Sequence, residues 1–223
     1  NPARVLREDY SDDNFVPGPL VEAMQQGGFL YIEELNRAPE DTMNTLLMSM
    51  SDRAIAVPRV GRVVAQPTFR VVASMNPFDN VGTARLSTSV HDRFNRVVVD
   101  YQDAEAEERI VTLRAQADGD LAERIVADAV AVTRATRTHE DVRQGSSVRG
   151  AIDTAMIARQ LASMRGATDP ADERYPELFF DVMTVGLSGR IHVDEAVDAT
   201  AEQVLREIWE DRFILEPHTA APG

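Results

Sequence analysis

Two adjacent carboxylates, Glu33 and Glu34, directly follow the apolar run 29–32 (FLYI). Hydrolysis of a nucleotide needs one carboxylate to hold the water shell of a magnesium ion and another to orient or deprotonate the attacking water. Both groups must lie at the carboxyl edge of a sheet, which is where ligands bind. Strand ends are also acidic because they reach solvent, so this pair alone indicates hydrolysis only weakly.

Asn76 and Arg93 are the next residues whose types suit nucleotide chemistry. Asn76 follows the apolar run 69–73, and its amide could donate to a γ-phosphate or to the attacking water without adding charge. Asn-Pro is also a common turn opener. Arg93 could reach the nucleotide of a neighbouring subunit and stabilise the charge that develops during phosphoryl transfer. An ordinary salt bridge with Asp92 or another acid is the alternative.

The segment 145–150 (GSSVRG) contains a fourth candidate, Arg149. Ser146 or Ser147 could cap a helix that begins near Val148, which would present Arg149 in its first turn. An exposed arginine without a specific role is the alternative interpretation.

The elements that must position these side chains form an α/β pattern. Three short apolar runs predict strands buried on both faces, as in a parallel sheet: 28–32, 69–73 and 97–99. A helix is predicted over 39–50, with Pro at its start and acids in its first turn. The runs 54–58 and 62–65, which flank Arg59-Val60-Gly61, predict a hairpin.

From Asp103 onward the composition changes to helix-forming Ala, Glu and Arg, which predicts a domain boundary there, between domains 1–103 and 104–223. The 3.6-residue spacing predicts helices over 104–117, 121–136, 148–164, 177–187 and 194–212. The segment 165–176 is predicted to be a loop and 216–223 to be frayed. Glu105, Glu107 and Glu108 are predicted to form a solvated helix start, and Trp209 to be a packing residue.

Composition excludes several classes of site. The chain has no cysteine, a formal charge of -14 and a pI near 4.7, which oppose disulfides, cysteine chemistry and a general affinity for nucleic acid or anionic membranes. All 23 basic residues are Arg, so no phosphate-loop lysine exists within this sequence. The four histidines show no metal-ligand spacing. The absence of a long apolar run and of a signal peptide predicts a cytoplasmic protein.

The order and spacing of these motifs are more specific than any one of them. The acidic pair followed by Asn-Arg-Ala-Pro (36–39), then Asn-Pro (76–77), Asp-Arg-Phe (92–94) and Gly-Ser-Ser-Val-Arg (145–149) resemble the MoxR branch of AAA+ ATPases over residues 15–160. The resemblance implies an AAA+ parallel-sheet core, incomplete because it lacks the phosphate-loop strand, followed by an α-helical lid. It also implies that residues 15–23 form the end of an insert that, in this branch, precedes the Walker B strand, here the run 29–32.

The resemblance implies ATP and Mg²⁺ as cofactors and assigns a role to each candidate. These are Glu33 as the magnesium-linked Walker B acid, Glu34 as the catalytic glutamate, Asn76 as sensor 1, Arg93 as the arginine finger with Arg96 as a substitute, and Arg149 as sensor 2. The family usually has Asp where this chain has Glu33. The phosphate loop is expected upstream of Asn1.

The resemblance further implies a homo-oligomeric ring, expected to be a hexamer, that remodels or activates a partner, often a protein with a von Willebrand A domain. Two alternatives remain. One is a hydrolysis-deficient AAA+ scaffold or adaptor, suggested by Glu33. The other is a nucleic-acid motor related to replicative helicases, for which Arg53, Arg59 and Arg62 of the hairpin form the local basic cluster.

Overall fold

The computed structural model describes residues 15–58, 60–76, 87–167 and 169–215. Predictions that concern Arg59, Pro77 and 216–223 lie outside the described residues. The chain divides into two compact units, Asn1–Val98 and Val99–Gly223. The second unit begins a few residues before the predicted boundary at Asp103 because Tyr101 and Gln102 already contact its helices.

The first unit combines a parallel strand pair with helices and a hairpin. Strands β1 and β4 pair in parallel, with Phe29 opposite Arg70 and Ile32 opposite Ala73, while β2 and β3 form an antiparallel hairpin. In chain order the elements are α1 (Pro19–Gln26), β1 (Phe29–Ile32), α2 (Glu40–Ser51), β2 (Ala54–Val57), β3 (Gly61–Val64), β4 (Arg70–Ala73) and α3 (Thr88–His91).

Local sequence explains where the helices of this unit begin and end. Proline at the start of α1 fits the first helical turn, which needs no backbone donor. Gly27 ends α1 in the left-handed conformation (φ 72°) and donates to the carbonyl of Ala23. Helix α2 follows Pro39 and has Glu40 and Asp41 in its first turn, where acidic side chains favour the helix dipole.

Two small apolar clusters hold the first unit together. One contains Val21 and Met24 of α1 with Val63, Ala65 and Phe69, and the other joins Leu35, Leu46 and Val90. Leu30, Ile32, Val71 and Ala73, on one face of the strand pair, pack against these clusters, whereas Phe29, Tyr31 and Val72 are exposed. The expectation that both strands are buried on both faces is therefore wrong for the described part of the chain.

The third predicted strand, 97–99, is not a strand in the structure. Val97, Val98 and Val99 are 82%, 75% and 86% exposed. An extended apolar segment becomes a strand only when a neighbour supplies hydrogen-bond partners, and no described strand pairs with this one.

The second unit is mainly helical. Its elements are α4 (Ala104–Ala115), α5 (Asp120–Thr138), β5 (Val142–Gln144), α6 (Val148–Arg165), α7 (Tyr175–Leu187), β6 (His192–Val193), α8 (Ala201–Glu210) and a final π-helical turn (Asp211–Leu215). The antiparallel pair β5–β6 was not predicted. The helix predicted over 194–212 begins only at Ala201, because Thr200 and Gln203 form a capping box there.

Small residues and aromatic rings build the core of this unit. Ala151, Ala155 and Ala158 on α6 are fully buried, which allows close approach of neighbouring helices. Trp209 packs against Phe180 and donates to the carbonyl of Pro176 at 2.7 Å, which confirms its predicted packing role. Glu107 was predicted to be solvated but is completely buried, because two arginines of α5 neutralise its carboxylate.

Among the described helices, none combines the length and apolarity that crossing a membrane requires.

Candidate functional site

The two strands of the parallel pair end side by side. The amide of Ser74 donates to the carbonyl of Ile32, and the amide of Leu35 donates to the carbonyl of Ser74, both at 2.9 Å. These bonds extend the pairing beyond the last residues of β1 and β4. The backbone therefore brings Glu33 and Glu34 to the same sheet edge as Asn76, which is the edge where the carboxyl ends of parallel strands meet.

Glu34 has a left-handed backbone conformation with φ 51° and ψ 51°. A residue with a side chain adopts this conformation at a cost of about 1 kcal/mol, and such strain concentrates at functional sites. The short 3₁₀ turn Leu35–Arg37 follows at once, and its residues Leu35 and Asn36 are buried. Burial of these two side chains fixes the turn that carries the Glu34 carboxylate.

The carboxylate of Glu34 lies 3.2 Å from the guanidinium of Arg37, and both side chains are more than half exposed. An ion pair that water surrounds contributes little to stability, so this contact leaves the carboxylate accessible. Asn36 differs from its neighbours because its side-chain Oδ1 is buried and has no hydrogen-bond partner within the described part of the chain. Sequence reasoning identified the acidic pair but missed the strained backbone and the buried amide.

The oxygen donors at this edge suit Mg²⁺. Glu33, Glu34 and Asn76 are exposed, and the hydroxyl of Tyr31 donates to Ser74 Oγ at 3.1 Å between the two strands. In the described residues no group of three or more His, Cys, Asp or Glu side chains could enclose a metal by itself. In nucleotide sites, one or two carboxylates bind Mg²⁺ together with phosphate oxygens and water.

Arg93 lies at the surface of the first unit, just after α3. Its Nε donates to Ser51 Oγ at 2.6 Å and its Nη1 donates to the carbonyl of Ser89 at 3.0 Å. Both acceptors are uncharged, so these bonds orient the guanidinium without neutralising it. Arg96, the predicted substitute, is also exposed.

Arg149 is the second residue of α6 and is exposed. The helix begins at Val148 as predicted, with Ser147 at the N-cap position, but the side chain of Ser147 makes no cap hydrogen bond. The hydroxyl of Ser146 instead donates to the carbonyl of Ser147 at 3.4 Å. The prediction that a serine side chain caps this helix is therefore wrong. Arg149 lies in the second unit, whereas the acidic pair lies in the first.

Within the basic cluster predicted on the hairpin, Arg53 is held by backbone and ring contacts. Arg53 donates to the backbone carbonyls of Gln66 and Phe69, and its guanidinium lies 5.9 Å from the centroid of the Phe69 ring. These contacts hold the base of the hairpin against the segment before β4. Arg53 is thus a structural residue, which weakens the interpretation of the hairpin as a nucleic-acid contact.

Comparison with known families is consistent with this geometry. Residues 4–94 match the model of the AAA domain, dynein-related subfamily. The matched range contains the acidic pair, Asn76 and Arg93, and it extends over most of the first unit. The chain as a whole has the fold class of an AAA+ ATPase, a parallel-sheet core followed by helices.

Curated relatives include the denitrification regulatory protein NirQ of Stutzerimonas stutzeri, 33% identical over 152 residues, which cover 67% of this chain and 54% of NirQ. An uncharacterized protein of Staphylococcus haemolyticus is 29% identical over 204 residues, covering 89% of this chain and 68% of that protein. A solved structure of an ATPase candidate from Cytophaga hutchinsonii aligns with TM-score 0.34 and 20% identity, over 81% of this chain and 64% of that one.

The matched region spans only part of several relatives. It covers 55% of an uncharacterized protein of Staphylococcus saprophyticus and 58% of one from Staphylococcus epidermidis. The activity and the partners of the whole protein are therefore stated below as proposals.

Proposed function

We propose that this chain belongs to an ATP-hydrolysing AAA+ ring protein of MoxR type that remodels or activates a partner protein. The observation that carries the proposal is the Leu35–Ser74 backbone bond, which joins the acidic turn to the segment that ends at Asn76. A carboxylate and an amide on one sheet edge are the groups that ATP hydrolysis needs beside the γ-phosphate.

In this proposal Glu33 holds the water shell of Mg²⁺ and Glu34 orients the attacking water. Asn76 donates to the γ-phosphate or to that water, which discriminates the triphosphate from the diphosphate. Bound Mg²⁺ supplies neutralisation of phosphate charge. The fixed turn after β1 matters because a misplacement of about 1 Å in a catalytic group can lower the rate about 100-fold.

The remaining two arginines act between molecules or between units in the proposed ring. Arg93, held by Ser51 and Ser89 with its charge not neutralised by them, is the residue proposed to reach the nucleotide of the adjacent subunit. Arg149 is proposed to contact the phosphates as sensor 2 and to link nucleotide state to movement of the helical unit. We propose a hexameric ring, by similarity to the family.

NirQ is a denitrification regulatory protein, and its similarity supports a regulatory role here. The proposed client is a protein complex that the ring activates, and a partner with a von Willebrand A domain is the form expected for this branch. We propose that the protein acts in the cytoplasm.

The test is steady-state ATP hydrolysis by the complete protein that contains this chain, with Glu34→Gln as the variant and Glu40→Gln as the matched control. Glu40 is also an exposed acid, but it lies in the first turn of α2. Glu34→Gln is expected to lower kcat by at least about 100-fold while ATP still binds, because the amide cannot accept a proton from water. Glu40→Gln is expected to leave kcat unchanged.

Absence of turnover in the unaltered protein, with ATP still bound, would instead support the hydrolysis-deficient scaffold. Turnover that Glu34→Gln leaves intact would exclude the assigned catalytic role.

A further inference from the structure

Arg137, near the end of α5, is buried and contacts three separate segments of the second unit. Its side chain is only 9% exposed. Its Nη1 lies 2.8 Å from the buried carboxylate of Glu107 on α4, and its Nε donates to the carbonyl of Ser146 at 2.7 Å. The guanidinium also lies 3.9 Å from the centroid of the Tyr101 ring.

These contacts link the first residues of the second unit to its interior. Tyr101 and Gln102 lie three and four residues after Val98, the last residue of the first unit, and are called the connecting segment below. Arg134, one helical turn before Arg137, donates to the carbonyl of Gln102 at 2.9 Å and also lies 3.3 Å from Glu107. The carboxylate of Glu107 therefore holds both arginines in place, and each arginine holds one residue of the connecting segment.

The loop before α6 is packed directly onto the same end of α5. A Cβ atom on Gly145 would lie 2.6 Å from both the Cα of Arg137 and the carbonyl oxygen of Thr136, so only glycine permits this approach. The amide of Ser146 donates to Thr136 Oγ1 at 3.0 Å. A Cβ atom on Gly150 would lie 2.0 Å from Ser146 Oγ, so the loop is also tightly packed against the first turn of α6.

We propose that Arg137 is a positioning residue that couples the connecting segment at Tyr101–Gln102 to the first turn of α6, and thereby to Arg149. Arg137 does not contact the nucleotide; it acts through the loop 145–147. The role follows from its planar guanidinium, which donates to a carboxylate and a carbonyl while stacking on a ring, a combination that an ammonium group cannot reproduce. The consequence for hydrolysis rests on the proposed sensor-2 role of Arg149.

The first experiment requires no nucleotide. Hydrogen exchange is measured on the complete protein and on Arg137→Lys, with Arg109→Lys as the control, since Arg109 forms an exposed pair with Glu105 on α4. Arg137→Lys is expected to accelerate exchange of amides in 145–150 by about tenfold or more, while amides in the middle of α7 keep their protection. Unchanged exchange in 145–150 would overturn the coupling, and this outcome does not depend on whether the protein hydrolyses ATP.

The second experiment is a double-mutant cycle on ATP hydrolysis with Arg137→Lys, Arg149→Ala and the pair. If Arg137 acts through Arg149, Arg137→Lys alone lowers kcat/KM about 10-fold to 100-fold but has almost no further effect once Arg149 is alanine. Multiplicative losses would show that Arg137 affects only general stability and would overturn the proposal. If Arg149→Ala itself has no effect, the sensor-2 role fails, and the exchange result still decides the coupling.

Two further variants keep the test informative if Arg137→Lys does not fold. Tyr101→Leu removes the ring that the guanidinium stacks on, at a half-exposed position. Gly145→Ala separates the loop from α5. Both variants are expected to accelerate amide exchange in 145–150 and to lower kcat/KM only while Arg149 is intact. Normal exchange in 145–150 in both variants would overturn the proposal.

Discussion

The phenolic hydroxyl of Tyr175 donates a 2.9 Å hydrogen bond to the carboxylate of Asp128 in the interior of the helical unit. Asp128 also accepts from Arg212 at 2.9 and 3.1 Å and lies 3.4 Å from Nε of Arg124. Arg124 in turn stacks over the Tyr175 ring, at 4.2 Å from its centroid. This buried group joins α5 and α7 to the final turn of the described chain.

This arrangement predicts a loss of stability in alkaline solution. Burial and the adjacent Asp128 carboxylate raise the pKa of Tyr175 well above its ordinary value of 10.0, although Arg124 and Arg212 oppose the shift. The unfolded chain releases this proton near its ordinary pKa, whereas the folded chain retains it. Protonated Tyr175 therefore makes its full contribution to the free energy of unfolding below about pH 10. Above that pH the contribution decreases by up to about 1.4 kcal/mol per pH unit.

Urea unfolding followed by circular dichroism between about pH 8 and about pH 11 measures this slope. Tyr175→Phe is expected to be less stable near pH 8 by about 1 to 3 kcal/mol, because Asp128 loses a donor, yet to lose less stability as the pH rises. Tyr31→Phe, at an exposed tyrosine, is the control and keeps the full slope. If the free energy of unfolding of both variants fell equally with pH, the loss of stability could not be assigned to Tyr175.

Gly27→Ala is expected to destabilise the first unit by about 1 to 3 kcal/mol. Gly27 has φ 72°, and a Cβ atom there would lie 2.2 Å from Thr68 Oγ1. The neighbouring Gly28 has open space around the Cβ position and no left-handed backbone, so Gly28→Ala is the matched control, expected to change stability by less than about 0.5 kcal/mol. Thermal unfolding compares them, and equal melting temperatures for the two variants would refute this account.

Glu33→Asp is expected to raise kcat for ATP by several-fold, up to about tenfold. The resemblance to MoxR-type ATPases implies Asp at this position, and the longer Glu would displace its carboxylate relative to a magnesium site that suits the shorter residue. Glu33 is exposed, so the change should leave the melting temperature unaltered. The measurement is kcat at saturating Mg²⁺ and ATP. An unchanged or lower kcat would indicate that the surrounding site has adapted to glutamate.

Mixing two inactive variants tests whether Arg93 acts on the neighbouring subunit. In the proposed ring, Arg93→Ala and Glu34→Gln are each expected to abolish hydrolysis when every subunit carries the same change. After subunits are mixed in equal amounts, roughly a quarter of the interfaces combine an intact Glu34 with an intact Arg93, so a similar fraction of activity should return. If Arg93 instead served the site of its own subunit, both residues would have to be intact in the same chain. Neither variant provides this, so activity would stay absent.

The sequence predicted the elements whose signal is local. Apolar runs and helix-start residues predicted the strands at 28–32 and 69–73, the helix after Pro39 and the start of α6 at Val148, and all four appear in the structure. The predicted strand at 97–99 failed because a strand also needs a neighbour, which local sequence cannot supply. The roles assigned to Glu34, Arg93 and Arg149 remain predictions that the experiments above test, and the role of Asn76 as sensor 1 also remains a prediction.

Residues whose environment depends on distant partners could not be read from the sequence. Glu107 lies in a helix start rich in acids, which is typical of a solvated surface, and only the fold brings Arg134 and Arg137 of another helix to it. The left-handed backbone of Glu34 likewise has no local signal, since such conformations favour glycine. Both features arise from tertiary packing.

The single tryptophan of the sequence gives the molecule an intrinsic optical reporter. Because Trp209 is fixed by the Pro176 carbonyl and the Phe180 ring, its emission responds when the last described helix separates from α7. Residues 1–98 contain no tryptophan, so a change in the tryptophan emission of this chain upon adding nucleotide reports on its helical unit. Movements of that unit can thus be timed by stopped-flow fluorescence without attaching a dye.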